Sequence, residues 1–135
     1  MTSVLVVDDS RLARRVALGI LERIRPGWSA VEAADAEEAM SAIRERSVDI
    51  VLLDINMPGT DGLTLAQRIR ADSPGIAVAI VSANIQDAVV ARARAMGATF
   101  LAKPLTEEAL APFLDGATLL RKRAASRNAS AGPPE

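Results

Sequence analysis

Short apolar runs alternate with longer segments of helical period along most of the chain, and this alternation constrains the fold more than any other feature. The runs are residues 4–7, 29–31, 50–53, 77–81 and 99–102. Most of them are apolar at successive positions, as in strands of a parallel sheet that are covered on both faces. Five strand-then-helix units without a hairpin signal predict an α/β fold with helices on both faces of one sheet. The residue pattern leaves the strand order open.

The segments between the runs carry signals for helices and helix ends. The first has apolar residues at helical spacing: Leu12, Val16, Ile20 and Ile24. Asp35, followed three residues later by Glu38, resembles a capping box, and Thr106 is placed to cap the fifth helix. These signals predict helices that follow each strand in turn.

Length and composition favour a single domain over residues 1–120. The chain has 135 residues, half of them apolar, which suffices for one buried core. From Arg121 the sequence becomes basic and then rich in Ala, Ser, Gly and Pro. Such a segment has little apolar surface to offset the entropy of ordering, so residues 121–135 are predicted to form a disordered tail.

Charge and residue usage exclude several classes of function. The formal net charge is −1, with acidic and basic residues nearly balanced, so nothing global indicates nucleic-acid or membrane binding. The chain has no cysteine and no histidine, which removes thiol nucleophiles, thiolate zinc sites and the usual neutral-pH base. No signal-peptide pattern or membrane-length apolar run is present, which predicts a cytoplasmic protein.

Polar side chains stand where the predicted strands end. Asp8 and Asp9 follow the first strand, Asp54 the third, Ser82 the fourth and Lys103 the fifth. Ligands of open α/β sheets bind beyond the carboxyl ends of the strands, so these five residues are expected to converge. Clustered carboxylates suit Mg²⁺, and a lysine beside them supplies a second cation. The set predicts a phosphoryl-transfer site in which an aspartate can be the covalent acceptor.

At these residues the chain resembles the receiver domain of bacterial response regulators in two-component signalling. The matching motifs, in order, are VVDDS at residues 6–10 with Arg14, LDINMPGTDG at residues 53–62, Ser82-Ala83, and FLAKP at residues 100–104. The resemblance covers about residues 4–120. It implies a flavodoxin-like (βα)5 three-layer sandwich with strand order 2-1-3-4-5, which the family's chemotaxis members illustrate.

The resemblance also implies the role of each acidic residue. Asp54 would accept a phosphoryl group from a phosphohistidine on a sensor histidine kinase or a histidine phosphotransfer protein, which explains why this chain needs no histidine of its own. Asp9 and Asp54 would bind Mg²⁺ through their carboxylates, Asn56 through its backbone carbonyl, and Asp8 through a water molecule.

The remaining motif residues are implied to form the switch. Lys103 would pair with the acceptor and then with the phosphoryl oxygens, beside a cis bond to Pro104. Ser82 would hydrogen-bond the phosphoryl group, and Phe100 would swing inward as Ser82 moves. A downstream protein would then bind the face between the fourth and fifth helices. No output module is recognisable, so a stand-alone receiver is expected, of the chemotaxis-regulator or phosphorelay kind, that catalyses only its own phosphorylation and dephosphorylation.

Three other functions are compatible with parts of this pattern. A flavin carrier shares the fold, but Asp8 and Asp9 would repel the cofactor phosphate. A phosphatase with an aspartyl intermediate would place its nucleophile after the first strand. A degenerate receiver that binds proteins without phosphorylation is the strongest alternative, although every expected site residue is present.

Overall fold

The computed structural model describes residues 2–57 and 59–130, with residue 60 and residues 120–130 described through their backbone alone. The helices are α1 (Arg11–Ile24), α2 (Ala36–Glu45), α3 (Gly62–Asp72), α4 (Asp87–Ala95) and α5 (Glu107–Ser130). The strands are β1 (Ser3–Val7), β2 (Ser29–Ala33), β3 (Ile50–Asp54), β4 (Asn56–Met57), β5 (Thr60–Asp61), β6 (Ala77–Ser82) and β7 (Thr99–Ala102).

Five of these strands form one parallel sheet in the order β2-β1-β3-β6-β7. This is the predicted order 2-1-3-4-5 once the short strands β4 and β5 are set apart. In the sheet register, Val7 pairs with Leu53, Asp54 with Val81, and Ser82 with Ala102. The strands therefore end close together, which brings the residues after them to one edge.

The core consists of two apolar layers, one on each face of the sheet. Along β3 every residue is buried, and successive side chains enter opposite layers. Val51 and Leu53 join the layer under α2, α3 and α4, whereas Ile50 and Leu52 join the layer under α1 and α5. The three-layer sandwich is confirmed, and its continuous apolar strands result from this burial on both faces.

The predicted helix starts are present. Asp35 Oδ1 accepts from the Glu38 N–H at 2.8 Å, and Glu38 Oε1 accepts from the Ala34 N–H at 3.1 Å, which forms the capping box of α2. Thr106 Oγ1 accepts from the Ala109 N–H at the start of α5. Each bond satisfies a backbone N–H that has no partner within the helix.

Two elements differ from the sequence predictions. A two-stranded antiparallel ribbon of β4 and β5 follows β3, which the five predicted strand-then-helix units did not include. The helix α5 continues to Ser130, whereas a tail was predicted from Arg121. Its extension contains Ala, Arg and Lys, which are strong helix formers. The remainder of the predicted tail, residues 131–135, lies outside the described residues.

The first half of α1 also departs from its expected packing. Ile20 is buried as the helical spacing predicts, but Leu12 and Val16 are 73% and 46% exposed. They lie in the first two turns of α1. Among the described residues, no helix combines the length and the apolar character that crossing a membrane requires.

Candidate functional site

The candidate site lies at the carboxyl edge of the sheet, where four elements each contribute a polar residue. Asp54 ends β3 and Ser82 ends β6, while Asp8 and Lys103 directly follow β1 and β7. Because neighbouring strands stay in parallel register, their ends fix these side chains within one small area. The predicted convergence of the strand ends is thus present in the structure.

Three carboxylates form the centre of this area. Carboxylate oxygens of Asp8, Asp9 and Asp54 all lie within 4.8 Å of one another. Asp8 and Asp54 are buried, at 5% and 3% exposure, whereas Asp9 is exposed. Like charges this close repel each other strongly where water is scarce, so the cluster needs a compensating cation.

Lys103 supplies part of that compensation. Its Nζ donates to Asp8 Oδ2 at 3.0 Å and lies 3.6 Å from Asp54 Oδ2. Burial works to lower the pKa of Lys103, but the hydrogen bond to Asp8 and the negative charges of Asp54 and Asp8 outweigh it and raise the pKa. The lysine is therefore held in its charged form between the two buried carboxylates.

The acceptor candidate Asp54 remains in an unfavourable environment for its charge. Burial raises the pKa of its carboxyl above the ordinary value of 3.8, and the Asp8 carboxylate adds to the rise. The Asn56 N–H, which donates to Asp54 Oδ1 at 3.1 Å, and the Lys103 ammonium act in the opposite direction without cancelling it. A further cation at this edge would favour the ionised carboxylate.

The donor set fits Mg²⁺. All three side chains offer carboxylate oxygens, the hard ligands that this ion prefers, and the exposed Asp9 leaves room for the water ligands that it retains. Thiolate and imidazole ligands, which softer metals select, do not occur in this chain. The acidic cluster expected from the sequence is therefore present.

Local hydrogen bonds hold the loop after β1 in place. The Ser10 N–H donates to Asp8 Oδ1 at 2.9 Å, and Ser10 Oγ in turn caps α1 by accepting from the Ala13 N–H. Arg14 Nη1 donates to the Asp8 carbonyl at 2.7 Å, and its Nε donates to Glu32 Oε1. Asp8 is thus fixed from both its backbone and its side chain.

The ribbon after β3 fixes the other side of the acceptor. Asn56 pairs with Asp61 across the ribbon, and Gly59 closes its turn with a φ of 72°, which few residues other than glycine adopt. Asp61 Oδ1 then caps α3 by accepting from the Leu63 N–H at 3.1 Å. The ribbon therefore connects the acceptor rigidly to α3.

The switch residues lie on the two strands farthest along the sheet from β1. The Ser82 side chain is fully buried, with no exposed surface, and its Oγ accepts from Asn56 Nδ2 and from the Asn84 N–H. Phe100 on β7 pairs with Ile80 on β6 and packs, partly buried, against the core layer under α4. The Lys103–Pro104 peptide bond is cis, as the resemblance implies.

An apolar cavity that the sequence did not predict opens beside the acceptor. Its volume is about 430 Å³, and Asp54 and Lys103 contribute to its wall. The apolar lining comes from α1, from the strands β1, β3 and β6, and from the segment after Lys103, and it includes Leu12, Val16 and Leu105. The only sequence feature related to this cavity is the apolar stripe of α1, and such a stripe equally indicates a helix face that is buried in the core.

Comparison with known proteins identifies the family to which these features belong. A profile described as the response regulator receiver domain matches residues 4–115, which is most of the chain. The chain belongs to the response regulator receiver domain family. The predicted family and its flavodoxin-like fold are thereby confirmed.

Relatives of this receiver carry different named activities. It is 42% identical over 106 residues to the protein-glutamate methylesterase/protein-glutamine glutaminase 3 of Rhodospirillum rubrum. The matched segment is 77% of this chain and 28% of that protein. It is 34% identical over 110 residues to the probable transcriptional regulatory protein TcrX of Mycobacterium tuberculosis. Here the matched segment is 78% of this chain and 45% of that protein.

A solved structure of similar size is the Vibrio cholerae chemotaxis protein CheY4. Its TM-score is 0.77 at 28% identity, and the match covers 87% of this chain and 98% of that chain. By contrast, the receiver spans less than half the length of the two curated relatives. The receiver is a signalling module of two-component systems, and its likeness to the methylesterase is confined to part of that protein.

Proposed function

We propose that Asp54 accepts a phosphoryl group from a phosphohistidine and that the receiver thereby switches its binding to other proteins. The observation that carries this proposal is the position of Asp54. It is a buried carboxylate at the end of the central strand, 3.6 Å from the Lys103 ammonium and within 4.8 Å of two further carboxylates. An ionised carboxylate is costly to bury unless it is paired with a cation, and buried ionisable groups of this kind cluster at functional sites.

The proposed transfer needs no other nucleophile from this chain. A carboxylate oxygen of Asp54 forms a bond to phosphorus, the bond from phosphorus to the donor's imidazole nitrogen breaks, and its electron pair returns to that nitrogen. Lys103, already charged and close to Asp54, pairs with the phosphoryl oxygens in the product. Positioning and charge neutralisation of this kind supply most of the catalysis in phosphoryl transfer.

Mg²⁺ belongs to this proposal. Asp9 and Asp54 would hold it through carboxylate oxygens, Asp8 through a water molecule, and the Asn56 carbonyl would supply a further ligand. When bound, the ion would offset the carboxylate repulsion and the charge on the phosphoryl oxygens. These residues fit such an ion because carboxylate oxygens of Asp8, Asp9 and Asp54 already lie within 4.8 Å of one another.

The donor is proposed to be a sensor histidine kinase or a histidine phosphotransfer protein. Exposed Leu12 and Val16 stand at the rim of the cavity beside Asp54, and exposed Arg11 and Arg15 lie next to them on α1. A protein that covers this apolar rim would gain roughly 1.5–3 kcal/mol for each large side chain that becomes buried. The same rim would align the donor's phosphohistidine with the acceptor.

The output is proposed to be a protein-binding face formed by α4, β7 and α5, in a cytoplasmic phosphorelay such as chemotaxis, without nucleic-acid or membrane binding. Complete conversion between a 1:99 and a 99:1 population requires about 5.5 kcal/mol. Hydrogen bonds to a charged group supply roughly 1.5–3 kcal/mol each. Ser82 and Lys103 together would approach that value, and a partner that binds the shifted face would complete the change.

Incubation with magnesium and acetyl phosphate tests the proposal. We expect intact-mass analysis to show a gain of one phosphoryl group, peptide mapping to place it on Asp54, and Asp54→Asn to remove it. The variant keeps the side-chain size, so a loss of the mass gain reports the carboxylate. No gain with acetyl phosphate or with a phosphohistidine protein would contradict the proposal and favour a receiver that binds proteins without phosphorylation.

A further inference from the structure

The side-chain amide of Asn56 reaches across the site to Ser82. Asn56 Nδ2 donates to Ser82 Oγ at 3.1 Å, and the Asn84 N–H donates to the same oxygen at 2.9 Å. The Ser82 side chain is fully buried, so bulk water does not compete for these positions. Two donors from different segments of the chain therefore hold a single hydroxyl oxygen.

These two bonds determine where the hydroxyl hydrogen can go. A serine hydroxyl has two acceptor positions and one donor hydrogen. Asn56 and Asn84 fill both acceptor positions, and no oxygen atom that the structure describes accepts the hydrogen. It remains available for an oxygen atom that is brought to this edge of the sheet.

Asn56 links Ser82 directly to the acceptor. Its backbone N–H donates to Asp54 Oδ1 at 3.1 Å while its side chain bonds Ser82. The residue cannot shift easily, because it pairs with Asp61 in the ribbon and because Gly62 packs tightly against Ile55 just before it. Asn56 thus contacts both the acceptor and the Ser82 hydroxyl.

We propose that the Asn56 side chain is a positioning residue that orients the Ser82 hydroxyl toward a phosphoryl group on Asp54. This inference rests on the proposed function of Asp54 as phosphoacceptor. By occupying one acceptor position of Ser82 Oγ, the amide directs the hydroxyl hydrogen toward the phosphoryl oxygen before that oxygen arrives. Without the amide the hydroxyl rotates more freely, and its bond to the phosphoryl oxygen weakens.

Equilibrium binding of beryllofluoride with Mg²⁺ tests this role, because the ion mimics a phosphoryl group on a carboxylate and is not hydrolysed. Fluorine-19 NMR measures its affinity for the wild type, Asn56→Ala, Ser82→Ala and the double variant. We expect Asn56→Ala to weaken binding about tenfold when Ser82 is present. In the Ser82→Ala background the same change should have almost no effect, because the residue acts through that hydroxyl.

Two further variants separate positioning from folding. Asn56→Leu keeps the side-chain size without a donor, so it should weaken binding as Asn56→Ala does. Glu22→Ala removes an exposed side chain on α1, outside this hydrogen-bond network, so its affinity should stay within about twofold of wild type. Thermal denaturation without beryllofluoride confirms that each variant is folded before its affinity is compared.

The possible outcomes distinguish the two proposals. If wild-type protein fails to bind beryllofluoride, the assignment of Asp54 fails and the positioning role falls with it. If the wild type binds and Asn56→Ala binds equally well, the positioning role alone is overturned. Equal weakening by Asn56→Ala with and without Ser82 also overturns it, since the effect would then not pass through the hydroxyl.

Discussion

Gly62 packs so closely on Ile55 that a β-carbon on Gly62 would lie 2.3 Å from the Ile55 α-carbon. Because backbone atoms cannot move aside as a flexible side chain can, Gly62→Ala must displace the segment that links β3 to α3. We expect a loss of about 1–3 kcal/mol of stability, as in other overpacked sites, and weaker phosphorylation by acetyl phosphate. Thermal denaturation and intact-mass analysis measure the two effects.

Gly116→Ala on α5 is the matched control. Nothing lies within 4 Å of a β-carbon added there, and alanine is favoured over glycine in a helix by roughly 0.5–1 kcal/mol. This variant should be as stable as the wild type or slightly more stable. Equal destabilisation of the two variants would show that the contact with Ile55 is not the cause.

Removing the charge of Asp54 should stabilise the protein when magnesium is absent. Burial raises the pKa of Asp54, and Asp8 adds to the rise. For a carboxyl whose folded-state pKa is raised, the cost of the charge is present above that pKa and disappears as the pH falls below the unfolded value. Asp54→Asn in EDTA should therefore melt above the wild type at neutral pH, with a smaller difference in acid. A lower melting temperature at neutral pH would contradict this account.

Magnesium should raise the melting temperature of the wild type because it binds the folded acidic cluster. The stabilisation follows the ratio of free ion to its dissociation constant and reaches about 2.7 kcal/mol at a hundredfold excess. Asp9→Ala should reduce the shift, since Asp9 contributes one of the three gathered carboxylates. Glu22→Ala removes an exposed acidic residue on α1, away from the cluster, and should leave the magnesium-dependent rise in melting temperature unchanged. Indistinguishable shifts in all three proteins would exclude Asp9 from the site.

Leu12 and Val16 should matter for a protein donor and not for a small one. The double variant Leu12→Ala/Val16→Ala removes exposed apolar surface beside the cavity. We expect transfer from a histidine phosphotransfer protein that phosphorylates the wild type to slow about tenfold or more. The rate with acetyl phosphate should not change.

Ile85→Ala provides the comparison for that experiment. Ile85 is 66% exposed but does not line the cavity beside Asp54. Ile85→Ala should leave the rates of phosphoryl transfer from the protein donor and from acetyl phosphate unchanged. A similar loss with acetyl phosphate in the Leu12 and Val16 variant would point to damage of the site itself.

Asp61 should stabilise α3 in a pH-dependent manner. The hydrogen bond from the Thr64 hydroxyl lowers the pKa of Asp61, and the N–H groups of Thr64 and Leu63 contribute to the same lowering. Because the folded pKa is depressed, the stabilisation is present above the unfolded value of 3.8 and is lost as the pH falls through the folded pKa. Asp61→Asn should cost less than about 1 kcal/mol at neutral pH, since the group is exposed, and almost nothing in strong acid. A stability difference between the wild type and Asp61→Asn that grows on acidification would refute this.

The sequence predicted the parts of the site that depend on strand ends. Asp8, Asp54, Ser82 and Lys103 converge because each terminates or follows a strand of one parallel sheet, and the apolar runs revealed those strands. The bond from Asn56 to Ser82 was not predictable in this way. It depends on a ribbon whose strands have two residues each, too short for any periodicity to show.

Packing that depends on the ends of helices was also beyond the sequence. The apolar stripe of α1 predicted a buried face, yet its first two members, Leu12 and Val16, stay exposed. The end of α5 was misplaced for a related reason, because composition alone does not distinguish a solvated helix rich in Ala and Arg from a tail. In both cases the outcome depends on what lies beyond the core.

The two core layers separate the donor rim proposed on α1 from the proposed switch residue Phe100. Leu12 and Val16 belong to α1, which covers one layer, whereas Phe100 packs into the other. Under the proposed function, substitutions of Leu12 or Val16 would change the choice of donor without altering the packing of Phe100. The proposed output face also includes α5, which shares its core layer with α1, so donor binding and output would be coupled through α5 as well as at the strand ends.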